Sequence, residues 1–561
     1  MSAELERLLA RLEACRTKRP DFGETARLLR SSERRRIGNP ESLIRFHEAV
    51  LFLRAYPHDR ATRDAAERIL SSFGPRVEAL VRSGADLAAF DEPEVSGIAG
   101  TKISTDYSFD VVRWLARRFA SRIRLDWESD GRQDRLRALF PRFLPLLDEE
   151  ALEDANVPYL EWLRAAQPDP ARDLRWLIAR LEQLPVSEDE RAERYEALKL
   201  PILWSLGTGR VTRTRLRWRS PDVFFHTEPL LARRDVSLKE ELASPKLPVR
   251  RLTRREGQEL LDFARESTAV RYREYYQFTY ADPASVRAAR VGRGVEIFLA
   301  GLTPGRRLPL RSGYAGFVVK NGVPVCYFEA LAFIDRIEVG FNVYYTFREG
   351  ESAWIFAKVL RMLNQILGVT SFSIDPYQLG HENPEGIDSG AFWFYRKLGF
   401  RPTGSENARL LEREEKKIAQ TAAYRSSPTV LRRLVTGNLL YEMEPSRDWD
   451  RFHVRNIGIA VQRRMRKHYR GDPDEARRRT SSHVAELLAI RAPSGRAFEN
   501  LALVLEAIPD LPRWTRAERA GLVAIVRAKE GNEEIPYLRL LQAHAKLRKA
   551  LIRLGSPPLS S

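Results

Sequence analysis

The dipeptide Asn321-Gly322 stands between two runs of β-forming residues, Tyr314 to Lys320 and Val323 to Ala332. Asn-Gly is the preferred two-residue loop of a β-hairpin, because both of its positions must take positive φ. The pair therefore predicts two antiparallel strands and fixes the middle of the chain as sheet. Downstream, Ile337, Val339, Phe341, Val343 and Tyr345 alternate with Arg336, Glu338, Gly340, Asn342 and Tyr344. That period of two packs one face and leaves the other polar. Shorter strands are read at Val249 to Leu252, Val295 to Leu299, Val369 to Ile374 and Leu439 to Met443.

Helical signals lie between these runs. Thr253 and Glu256 form a capping box that opens a helix through about Ala269. Ala353, Phe356, Ala357, Leu360, Leu363 and Leu367 make an apolar stripe stopped by Gly368. A short helix from Gly390 to Leu398 has Ser389 as its N-cap and Gly399 as its stop. The region 249–445 thus reads as one α/β unit.

The flanks read differently. Apolar residues from Met1 to about Leu206 recur mainly at helical spacing, so 1–206 is expected to be all-helical. In 207–248, Arg213, Arg215, Arg217 and Arg219 alternate with Thr212, Thr214, Leu216 and Trp218. This predicts a basic strand, either a phosphate-binding ladder or an edge whose charges block aggregation. Residues 446–561 read as a second all-helical region ending in a Gly-Ser-Pro-Pro tail.

The chain has 561 residues and a net charge of +18. After Phe400 it holds 31 Lys and Arg against 19 Asp and Glu, two thirds of that surplus. Arg463, Arg464, Arg466, Lys467, Arg470, Arg477, Arg478 and Arg479 are the densest cluster. Such a cluster suits nucleic-acid phosphates or a protein partner; a solvated helical face is the alternative. Two cysteines, Cys15 and Cys326, exclude a disulfide framework and a four-cysteine zinc site. Histidine spacing gives no metal motif. The N-terminus lacks the apolar stretch of a secretory signal, and no window is long and apolar enough to span a bilayer, so a cytoplasmic location without membrane insertion is expected.

The turn from Thr346 to Ser352 joins a strand to a helix N-terminus, where unpaired N–H groups and the helix dipole favour an anion. Later comes Phe394-Tyr395-Arg396-Lys397-Leu398-Gly399-Phe400. Taken together, and in this order, 249–445 resembles the GNAT family of acyl-CoA-dependent N-acyltransferases. The resemblance implies a mixed, mainly antiparallel sheet with helices on both faces, acetyl-CoA or another acyl-CoA as co-substrate, and an amine as acceptor; from the histidine spacing no metal is expected. It implies a pyrophosphate turn at Arg348, Gly350, Ser352 and Ala353, and a thioester carbonyl held by main chain around Val343 to Tyr345. It implies Tyr395 as the acid that protonates the leaving thiolate, although an aromatic in that run also serves as core. Glu338 falls where relatives place a base, acting directly or through water, and His381 is the alternative base. Glu351 departs from the family pattern, because it occupies the position of the central glycine and would repel a pyrophosphate unless its side chain turns away. The carboxylates of the loop 377–389, namely Glu382, Glu385 and Asp388, would suit a cationic amine. The competing reading is a non-catalytic GNAT-like scaffold that binds nucleic acid or protein through its basic helical surfaces.

Overall fold

The computed structural model describes residues 3–16, 22–128, 132–143, 159–421, 423–491 and 495–556. The tail after Ser556 lies outside the described residues. None of the described helices is long and apolar enough to cross a membrane.

A nine-stranded sheet occupies the centre. Its strands are β4 (Val249–Arg251), β5 (Arg287–Gly292), β6 (Val295–Gly301), β7 (Ser312–Lys320), β8 (Val323–Phe333), β9 (Arg336–Val343), β10 (Ser371–Ile374), β11 (Arg401–Pro402) and β12 (Leu439–Glu442). The spatial order is β11-β12-β10-β9-β8-β7-β6-β5-β4. Every pairing is antiparallel except β9 with β10. The β7–β8 turn forms as expected, with Asn321 at φ 50° and Gly322 at φ 78°. A side chain at Gly322 would sit 2.4 Å from the Trp218 carbonyl, so the turn needs glycine for space as well as for φ.

Helices cover both faces. Along β9 the side chains alternate: Phe341 packs on Phe356 of the helix Ser352–Leu367, whereas Tyr344 meets Ser267 and Arg271 at the end of the helix Arg254–Ala269. The Thr253–Glu256 capping box is present, and Gly368 ends its helix in the left-handed region. The helix Ala391–Arg396 differs from expectation in its start: Gly390 is the N-cap, and the Ser389 hydroxyl donates instead to the Gly386 carbonyl.

Two expectations for the flanks are corrected. The N-terminal region is not all-helical, because β1 (Lys102–Thr105), β2 (Ile123–Leu125) and β3 (Ile202–Ser205) form a separate antiparallel sheet in the order β1-β3-β2. Strands of three or four residues are too short to show a period of two against the surrounding helical spacing. Nor is Thr212 to Arg219 a strand. Its backbone is held by other means: Arg54 donates to the Thr214 and Leu216 carbonyls, and the Arg213 and Trp218 N–H groups bond the Gly97 and Gly322 carbonyls. Its four arginines do not share a face. Arg213 turns into the core, and Arg217 and Arg219 pair with Glu67 and Glu259.

The apolar core runs without a break from Leu5 through the sheet to Leu439 and takes in Leu538 of the C-terminal helices. The helix Pro40–Ala55 is its axis, with residues buried on all sides. A second core joins Phe333 and Ile334 to the C-terminal helices. The C-terminal helices dock on the end of the sheet opposite the candidate site, where Arg539 and Gln542 donate to the last carbonyls of the helix Ser352–Leu367.

Candidate functional site

The parallel pairing of β9 with β10 stops early. Register joins Ser371, Phe372 and Ser373 to Arg336, Ile337 and Glu338, and β10 ends at Ile374 where Asp375 caps the short helix Pro376–Leu379. The last residues of β9 thus have no strand on their outer side. The Tyr344 N–H bonds the Val325 carbonyl on β8, so by alternation the Phe341 and Val343 N–H groups point the other way, into the opening. A cavity of about 300 Å³ fills it. Because Phe341 and Val343 belong to one face of β9 and Asn342 and Tyr344 to the other, and all four line this cavity, it passes through the sheet.

On the Phe341 face the cavity reaches the start of the helix Ser352–Leu367, lined by Tyr345, Arg348 and Ser352. No side chain caps this helix, so its first N–H groups remain open to a ligand. The Glu351 carboxylate turns away and is fully buried. Arg293 donates to it at 2.8 Å, Lys320 at 3.3 Å and the Leu231 N–H at 3.2 Å. The feared like-charge repulsion is thereby removed: the carboxylate is neutralised beneath the turn rather than above it. Burial pushes the Lys320 ammonium down, to about 7, against the pull of Glu351. Gly350 also faces inward, where a side chain would meet the Tyr56 hydroxyl at 2.6 Å. Arg348 stacks on Tyr345 and pairs with Glu385. Ala353 is buried at the helix start and does not line the cavity.

Tyr395 lines the cavity and is 3 % exposed, held by Phe356 and Phe400. Its hydroxyl has no hydrogen-bond partner among the described residues, and burial raises its pKa well above the ordinary value. A neutral phenol with an uncommitted proton results. The two proposed bases lie elsewhere. Glu338 is four residues back from Asn342, roughly 13 Å along the strand, and faces Arg311 at 3.8 Å. Burial raises its pKa against the opposing pull of Arg336 and Arg311. His381, with Glu382 and Asp388, lines a separate depression near Arg432. Of the loop carboxylates only Glu385 reaches the cavity. Cys326 is wholly buried in β8, and burial pushes its thiol up, as suits a core side chain.

The opposite wall was not visible in the sequence. Arg213 and Glu94 from the N-terminal region line it together with Arg271, Arg273 and Tyr327. Arg213 is 2 % exposed and donates to Glu48 and Thr346, each at 2.6 Å. Burial pushes the Glu48 carboxyl up, but Arg213, His47 and Thr346 outweigh that and hold it down, to about 2. Arg271 is 4 % exposed and has no such carboxylate. Its one nitrogen with partners, Nη1, donates to the Ser267 carbonyl and hydroxyl, and the plane lies 4.2 Å above the Tyr344 ring. Burial pushes its pKa down, to about 10, so it stays charged at neutral pH. Arg271 follows the Val270 cap of the helix Arg254–Ala269, and Tyr272, with φ 55°, turns the chain before Arg273. The one available sequence signal was an Arg-Tyr-Arg step just after a capped helix.

Away from the cavity, Arg463, Arg466, Lys467 and Arg470 lie at spacings of three and four residues on and just after the helix Val454–Tyr469, hence on one face. All four are exposed and make no ion pair among the described residues. Arg464, Arg477 and Arg479 of the same cluster are paired, with Glu506, Glu499 and Glu475. Comparison with known protein families, characterised proteins and solved structures returned no match.

Proposed function

We propose that the protein is an acyl-CoA-dependent N-acyltransferase with a GNAT-like central unit, transferring an acyl group to an amine. The observation that carries this reading is the opening between β9 and β10, with one uncapped helix start and one uncommitted buried phenol in the same through-sheet cavity. The CoA pyrophosphate would lie on the Ser352 N–H and its neighbours beside Arg348. The thioester carbonyl would accept from the Val343 N–H. Attack by the neutral amine nitrogen on that carbonyl forms the C–N bond and, on collapse, breaks the C–S bond. Tyr395 gives its proton to the leaving thiolate. Glu338 does not line the cavity, so the ammonium proton leaves to solvent water before the attack.

Acetyl-CoA at about 100 times its dissociation constant should stabilise the folded protein by about 2.7 kcal/mol. This is read as a rise in melting temperature that Arg348→Glu abolishes. An unchanged melting temperature, or an equal rise in the variant, overturns the cofactor assignment.

A second reading, favoured by the unpaired stripe Arg463, Arg466, Lys467 and Arg470, is a GNAT-like scaffold held on nucleic-acid phosphates. Four neutralised phosphates give a log-log salt slope of roughly −4 on duplex DNA; binding insensitive to salt excludes it.

A further inference from the structure

Burying an ion without a partner costs far more than burying a paired one. Arg271 is in that position, and it faces a cavity. Its Nε is sealed from solvent without an acceptor. Among the described residues its Nη2 has no partner, and no carboxylate lies within ion-pair distance. Two residues on, Arg273 lines the same cavity and likewise makes no ion pair among the described residues. Of the nearby acids, Glu385 is in contact with Arg348 and Glu48 with Arg213, so they act on Arg273 and Arg271 only at longer range. Glu94 is exposed.

The position of this charge separates it from the pyrophosphate turn. Arg271 stacks on Tyr344, on the face of β9 covered by the helix Arg254–Ala269. Ser352 and Arg348 lie at the helix that packs on the Phe341 face. An anion at Arg271 is therefore on the other side of the sheet from an anion at the helix start. The wall around it is aromatic: Tyr327 lies 5.8 Å from Tyr344 by ring centroids and accepts a hydrogen bond from the Tyr275 hydroxyl. Such a wall suits a small organic molecule with one anionic end.

We propose that this half of the cavity binds the carboxylate of a small amino acid-like amine, with Arg271 as the buried counter-ion and Arg273 as the outer one. Guanidinium pairs with the planar carboxylate through parallel N–H donors. That this ligand is the acyl acceptor rests on the acyltransferase reading. The carboxylate site does not.

The test uses the full chain and titrates each of the twenty free amino acids, the methyl esters of those that bind, inorganic phosphate, and separately acetyl-CoA. At least one free amino acid is expected to bind, with its methyl ester at least tenfold weaker. Arg271→Met should weaken it by thirtyfold or more and Arg273→Gln by a smaller factor, while both variants keep wild-type acetyl-CoA stabilisation. Arg273→Gln, at a half-exposed position, keeps the test usable if Arg271→Met does not fold. Equal affinity for acid and ester, or tighter Arg271-dependent binding of phosphate, overturns the proposal. So does the absence of any amino acid binding to a protein that binds acetyl-CoA. Arg271-dependent amino acid binding without acetyl-CoA binding keeps the carboxylate site and discards acyl transfer; no binding of either discards both.

Discussion

Arg213 and Arg271 line the same cavity, and both are withdrawn from solvent, yet they stand in opposite chemical positions. Arg213 is sewn into a network of Glu48, Thr346 and, through Glu48, His47. Its charge is balanced within the protein, so its first task is to join the N-terminal region to the turn after β9. Among the described residues Arg271 has only a carbonyl, a hydroxyl and the face of a tyrosine. A buried cation with its counter-ion built in holds a fold together; one without is poised for a counter-ion that arrives from outside.

The largest test of this contrast is the stability of two parallel variants. Arg213→Met strands the Glu48 carboxylate and should cost about 3–5 kcal/mol in denaturant unfolding. Arg271→Met strands nothing and should change stability by less than about 1 kcal/mol; equal losses in the two would erase the distinction. The next test sharpens the Arg213 side. Glu48 is held at about 2 in the folded state against an ordinary value near 4.5, so its contribution is fully present above pH 4.5 and is lost as pH falls toward 2. The melting-temperature gap between wild type and Glu48→Gln should be constant above pH 4.5 and close progressively below it, by up to about 3 kcal/mol. A gap independent of pH would mean the carboxylate is not ionised in the fold. The smallest effect concerns Tyr395, another buried polar group on the ligand side. Tyr395→Phe should leave the melting temperature unchanged and, on the acyltransferase reading, lower kcat roughly a hundredfold with little change in KM. A loss confined to stability would make it core alone.

The sheet was legible in the sequence where strands are long or carry their own turn chemistry. Asn321-Gly322 and the alternation through β9 are local signals, and local physics decides them. The short strands β1 to β3 and β11 carry no such signal, because their pairing comes from tertiary contact. The segment Thr212 to Arg219 misled for the same reason: its alternation is real, but Arg54 and distant carbonyls bind its backbone in place of a ladder. In the site, Val343, Tyr345, Arg348, Ser352 and Tyr395 meet in one cavity because strand, turn and helix follow each other directly. Glu338 and His381 do not join them, since residue type cannot report where a strand leaves its neighbour. Arg271 was invisible because what distinguishes it is an absence of partners, which only the fold reveals.

The unbroken core from Leu5 to Leu439 has a consequence for how the chain is made. Residues of the helix Pro40–Ala55 emerge from the ribosome well before β8 and the turn Tyr345–Phe347 that they pack on, which ends about 290 residues later. At 5–20 residues per second the delay is on the order of 15–60 s. Through that interval a helix that is buried on all sides in the finished fold has no completed surface to close against, which makes the nascent chain a client for chaperones.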